Sequence, residues 1–208
     1  MIVKVEKSSQ KYKVTYVLIA LNIAFYIYGA IVGGNALVTD FSVTSVLGQY
    51  NLLVLQYGFY YQLFTSMFIH ASIIHLAGNL LFLLIFGLRA EEMFSLPEYL
   101  GIYFIGGLIG NLLSLILGPN FLSVGASGAI FAIFGATIIY DRKTMQQSII
   151  GALIFAFFLF IINMGEGVNV LAHLGGLAFG LVAGYIIASR RKPEKENQYT
   201  ISYSYRPV

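Results

Sequence analysis

No cysteine occurs anywhere in the chain, which excludes disulfides and thiolate metal sites. Charge is nearly as scarce: Asp, Glu, Lys and Arg make up 10% of the 208 residues, against 58% hydrophobic ones. At a mean hydropathy of +0.81, too few polar residues remain to cover a soluble fold. The net charge of +3 gives no reason to expect a nucleic-acid partner. The first apolar run lacks a small-x-small cleavage site and is long enough to span, so no removable signal peptide is expected. Internal repeats are also missing. These absences leave an all-α polytopic membrane protein.

A spanning helix needs about 20 predominantly apolar residues. Runs of that kind, or close to it, fall at about Val14 to Val32, Phe64 to Leu88, Tyr99 to Leu117, Ala126 to Tyr140, Ser148 to Asn163 and Val168 to Ala188. Pro97 and Gly118-Pro119-Asn120 punctuate the boundaries. The connection from Gly33 to Tyr61 contains no lysine or arginine and is rich in apolar and aromatic residues. It is therefore expected to lie partly embedded in the interface. The resulting plan is a short segment 1–13, a six-helix transmembrane domain 14–189 and a polar tail 190–208.

Six spans place both termini on one side, and the basic residues test that count. All 12 Lys and Arg fall on a single side: before the first span, after the second and fourth, and after the sixth. The other side carries only Asp40 and Glu166. By the positive-inside rule both termini are expected to be cytoplasmic, and a bacterial or archaeal plasma membrane is the simplest setting.

With that orientation, the second, fourth and sixth spans all run inward. His70, His75 and Asn79 lie in the first half of the second, Ser127 at the start of the fourth, and His173 near the start of the sixth. These three histidines are all the chain has. The fourth helix is short: about 15 residues give about 22 Å against a hydrocarbon thickness of about 30 Å. Held at its inner end by Asp141 and Arg142, it would start below the surface, with Gly118 to Val124 either buried in protein or lining a water-filled cavity. Small residues at helical spacing, Gly125, Gly128, Ala132, Gly135 and Ala136 on one helix and Gly176, Gly180 and Gly184 on the other, allow close approach in lipid. Such an approach would bring His173 within reach of the Ser127 hydroxyl, which needs a positioned base to act as a nucleophile.

The bland readings are weighed beside this one. A lone serine in a transmembrane helix usually bonds back to its own helix. Intramembrane histidines point more strongly to function. Metal ligation by His70, His75 and His173 is disfavoured, since His70 and His75 are five residues apart, about 140° round a helix, and so face different ways. His70 is expected to hold the first loop over the site, and Asn169, one turn before His173, to orient that ring or line the cavity. A transporter would need polar groups through the full depth, whereas the inner halves of the spans are almost wholly apolar.

Three motifs together are similar to those of the rhomboid intramembrane serine proteases. Gly125-Ala126-Ser127-Gly128 resembles the GxSG nucleophile motif, and Ala172-His173 through Gly176 and Gly180 resembles AHxxGxxxG. His70, His75 and Asn79 resemble HxxxxHxxxN. The resemblance covers about Tyr61 to Ala188. It implies a Ser127–His173 dyad, with an oxyanion hole made of the Ser127 N–H, His75 and Asn79. Two positions depart from the family: Tyr61-Gln62 stands where members have Trp-Arg, and Phe131 where many have a tyrosine under the catalytic histidine. Phe131 can still stack on His173.

The function implied is an intramembrane serine endopeptidase that cuts transmembrane protein substrates near the outer face of the lipid bilayer. No cofactor and no metal are implied. A catalytically inactive relative that binds transmembrane clients is the alternative. The Phe-rich fifth span (Phe155, Phe157, Phe158, Phe160) is expected to be the movable wall through which a substrate enters.

Overall fold

The computed structural model describes residues 13–145, 148, 150–151, 153–154 and 168–191. The expected fifth span with its phenylalanines, residues 1–12 and the tail from 192 lie outside these. Among the described residues, five long helices carry the fold: α1 (Val14–Gly33), α5 (Ile73–Met93), α6 (Leu96–Ser114), α7 (Ser127–Thr144) and α8 (Val170–Arg190). Between α1 and α5 the chain forms α2 (Phe41–Leu47), strand β1 (Gln49–Tyr50), α3 (Asn51–Tyr57) and α4 (Gln62–Thr65). A 3₁₀ turn, Ser66–Phe68, follows α4, and strand β2 (Leu122–Ser123) precedes α7. Among the described residues, α1, α5, α8 and the run Leu96–Leu117 are long and apolar enough to cross a bilayer. Their outward faces are apolar too: Ile31, Ile74 and Ile116 are each more than 70% exposed. In water such surfaces would be a liability, and in lipid they are the expected exterior.

The bundle is built around α7. Every residue from Gly128 to Thr137 is buried, as expected of a helix that is apolar on all sides. Helix α8 lies against it with almost no side-chain layer between: a Cβ on Gly135 would come within 2.8 Å of the Leu177 carbonyl oxygen. Cβ atoms on Gly176, Gly180 and Gly184 would run into the carbonyl oxygens of Gly128, Ala132 and Ala136 in turn. The small-residue faces expected from sequence are thus the interface between α7 and α8.

Two boundaries differ from expectation. The second apolar run does not begin a helix at Phe64. Met67, Phe68 and Ile69 are buried in the bundle, the chain is extended at Ile69 and Ser72, and α5 starts at Ile73. The Ser72 side chain accepts a hydrogen bond from the His75 N–H (3.2 Å), a cap that hydropathy does not reveal. His70 therefore lies on the linker ahead of α5 and not on the helix. Helix α7 runs past Tyr140 to Thr144, with Arg142 and Lys143 in its last turn, where cations complement the helix dipole.

The first loop is anchored to the segment leading into α7. Strands β1 and β2 pair antiparallel, with Gln49 opposite Ser123 and Tyr50 opposite Leu122. The Asn51 and Leu52 N–H groups donate to the Phe121 and Pro119 carbonyls (3.0 and 2.8 Å). Gln62 is fully buried; its Oε1 accepts from the Tyr50 N–H (3.0 Å), and its Nε2 donates to the carbonyls of Ser45 (2.9 Å) and Val46 (3.1 Å). An uncharged amide thus ties α2, β1 and α4 together. Gln62→Ala would take away the Gln62 partner of the Tyr50 N–H and the Ser45 carbonyl, while the Val46 carbonyl keeps the Tyr61 hydroxyl (3.1 Å), at about 1–3 kcal/mol for each group left buried and unpaired. It should speed proteolytic nicking of residues 41–57 in detergent several-fold; an unchanged nicking rate would show that Gln62 is not what ties the loop.

Candidate active site

Ser127 is the first residue of α7, so its backbone N–H belongs to the first turn and has no partner within the helix. His173 lies in the first turn of α8. The close approach of the two helices sets His173 Nε2 at 2.7 Å from Ser127 Oγ, a hydrogen-bonding distance. The Phe131 ring, one turn along α7, stacks under the imidazole with centroids 4.5 Å apart and planes at 24°. Packing thus fixes the ring on one side, with no hydroxyl involved.

Gly125 precedes this pair with φ +128°, a conformation that side-chain-bearing residues rarely adopt. Its N–H donates to the Ser66 carbonyl (2.9 Å). A Cβ here would sit 3.0 Å from Cε1 and Nε2 of His75, so glycine is required both for the turn and for the histidine ring beside it. Gly128 turns its backbone to α8, where Gly176 meets its carbonyl.

His75, Asn79, Ser127, Phe131, Asn169 and His173 all line one cavity of about 620 Å³. Phe82, Phe86 and Phe134 form an apolar part of the same wall. Asn79 Nδ2 donates to the His75 carbonyl (2.9 Å), which uses one of its two amide hydrogens and leaves the other for the cavity.

His70 is 1% exposed and lies behind His75, its ring 5.2 Å away and inclined by 67°. The two rings therefore do not diverge by 140°, because only His75 is helical. Among the described residues no group of three His, Asp or Glu side chains comes together that could hold a metal. The backbone around His70 carries the first loop: Thr39 Oγ1 donates to the His70 carbonyl (2.6 Å), and Val38 bridges to Ser72.

Asn169 does not orient the His173 ring through its own side chain. It caps α8, with Oδ1 accepting from the Ala172 N–H (3.0 Å), while Nδ2 donates to Ser114 Oγ and Ser123 Oγ (2.7 Å each). Ser66, Ser72, Ser114 and Ser123 were not singled out from sequence. A lone serine in an apolar run carries no sign of its partner; the only readable signal is Ser72 standing just ahead of a helical repeat.

A family model described as "Rhomboid domain" matches residues 57–190. The chain is 37% identical over 133 residues to RHOMBOID-like protein 6, mitochondrial, of Arabidopsis thaliana, covering 61% of this chain and 43% of that protein. It is 35% identical over 125 residues to Rhomboid-like protease 3 of Toxoplasma gondii, covering 56% and 48%. Against the YdcA protein of Bacillus subtilis it is 29% identical over 196 residues, covering 90% of this chain and 93% of YdcA. The chain thus spans less than half the length of the first two relatives and nearly all of the third.

Proposed function

The chain belongs to the rhomboid family, and from that membership we propose that it is an intramembrane serine endopeptidase with Ser127 as nucleophile and His173 as base. What carries the reading is the 2.7 Å separation of His173 Nε2 and Ser127 Oγ on the wall of a cavity large enough for a peptide segment. The protein is an integral multi-pass membrane protein. The six-span count, with cytoplasmic termini and Ser127 opening to the outer half, belongs to the proposal and rests on the one-sided placement of the 12 basic residues.

The chemistry follows from the groups present. His173 takes the Ser127 proton as Oγ attacks the carbonyl of a substrate bond, then gives that proton to the leaving amine. A water deprotonated by His173 hydrolyses the acyl ester and restores Ser127. The oxyanion formed at each stage needs donors, and the Ser127 N–H, the free Asn79 amide hydrogen and the His75 ring are the candidates that border the cavity. The α7 N-terminus adds its positive dipole end. The substrates are transmembrane proteins whose helix unwinds locally to expose the bond.

A fluorophosphonate should label the protein in detergent or liposomes and fail to label Ser127→Ala. Absent or unaltered labelling would sink the hydrolase reading. Asn79→Ala and His75→Ala should each lower kcat on a membrane reporter by about 100-fold with little change in KM, as loss of one oxyanion donor does. A kcat within twofold of wild type would remove that residue from the oxyanion hole.

A further inference from the structure

We propose that Asn169 is a positioning residue, clamping the helix that bears His173 to the segment that delivers Ser127; the inference rests on the serine-protease reading above. The residue is 9% exposed, and three hydrogen bonds fix its amide. Oδ1 holds the start of α8 through the Ala172 N–H, one residue before His173. The Asn169 carbonyl also accepts from the His173 N–H (3.2 Å), so the residue touches the base's own backbone. One Nδ2 hydrogen goes to Ser123 in β2, four residues ahead of Ser127. The other goes to Ser114 on α6, whose hydroxyl continues to the Gly110 carbonyl (2.9 Å).

The geometry is that of a three-way brace. The nucleophile and the base lie on different helices, 46 residues apart in sequence, and the 2.7 Å between them depends on how two helix starts are set against each other. Glycine packing sets the separation of the α7 and α8 axes and reaches their first turns, where Gly128 lies against Ala172. Asn169 adds directional ties at the same end, because its bonds join the start of α8 to the strand entering α7 and to α6. An asparagine suits the position: its short side chain can cap a helix and still present two donors on the same planar group. Serine at 169 would keep the cap and lose both donors.

The test separates positioning from folding by following fluorophosphonate labelling in time. The amplitude reports the folded, competent fraction, and the rate constant reports how well His173 activates Ser127. Ser123→Ala and Asn169→Ser should each lower the rate constant by about 10-fold with amplitude unchanged, the scale expected when reacting groups are displaced by a fraction of an ångström. Ser123→Thr, which keeps the hydroxyl, should restore the rate. Combining Ser123→Ala with Asn169→Ser should cost no more than the worse single change, because both remove the same bond. Rates within twofold of wild type, losses confined to amplitude, or losses that multiply would each overturn the clamp alone. A wild type that is unlabelled, or labelled as well as Ser127→Ala, would overturn the underlying reading and the clamp with it.

Discussion

Ser127→Ala and His173→Ala are each expected to lower hydrolysis of a membrane-embedded reporter by at least about 10⁴-fold, with no further loss when combined. Groups that act as one unit lose their effect together, and nucleophile or base deletions in serine proteases fall in that range. The size follows from the contact. Without His173, the Ser127 hydroxyl has no acceptor at Nε2 to take its proton, and a neutral hydroxyl attacks a peptide carbonyl poorly. Without Ser127, His173 can still polarise a water, but no covalent intermediate forms. Both side chains face the 620 Å³ cavity, so their removal empties no close-packed core and thermal unfolding should shift by only a few degrees. Additive losses in the double variant would mean that the two groups work independently, which contradicts a dyad.

Gly176→Val is expected to abolish activity from a position that touches no substrate. Its Cβ would collide with the Gly128 carbonyl oxygen, a backbone atom that cannot swing aside as a flexible side-chain tip would. Relief requires α8 to move away from α7 or to rotate. His173 is one turn earlier on the same helix, so a shift of about 1 Å at the contact carries into the 2.7 Å gap and costs about 100-fold or more in rate. Overpacking adds about 1–3 kcal/mol of destabilisation. Gly101→Ala on α6, where a Cβ meets nothing within 4 Å, is the matched control and should leave both rate and stability unchanged. Full activity in Gly176→Val would show that the interface yields without disturbing the site. The comparison should be made on labelling rate as well as on melting temperature, since the two effects are separate.

Much of this was legible in the chain before any coordinates. Ser127, His173, His75 and Asn79 stood out because polar groups within apolar runs are few, and the glycine spacing predicted which helices approach. The sequence places His70 on the second span, whereas it lies on the segment ahead of α5, where its carbonyl accepts from Thr39 Oγ1. A predominantly apolar run from Phe64 looks like one helix, because burial in protein and burial in lipid call for the same residues. Gln62 and Asn169 were less legible for a related reason: an amide's partners are backbone carbonyls or serines tens of residues away, and only tertiary structure brings them together. The span count from about 148 to 163 rests on hydropathy and charge alone.

The division of the reactive pair between two helices has a bearing on how the protein is made. Ser127 is synthesised, and α7 can enter the bilayer, while α8 is still inside the ribosome or not yet translated. A nascent chain at that stage presents the Ser127 hydroxyl without the His173 imidazole, together with a loop that Gln49 and Ser123 can already brace. On the proposed dyad, cutting power would switch on only once α8 is in place. Under that reading, a chain stalled before Val170 would lack the base and so be unable to cut neighbouring transmembrane segments.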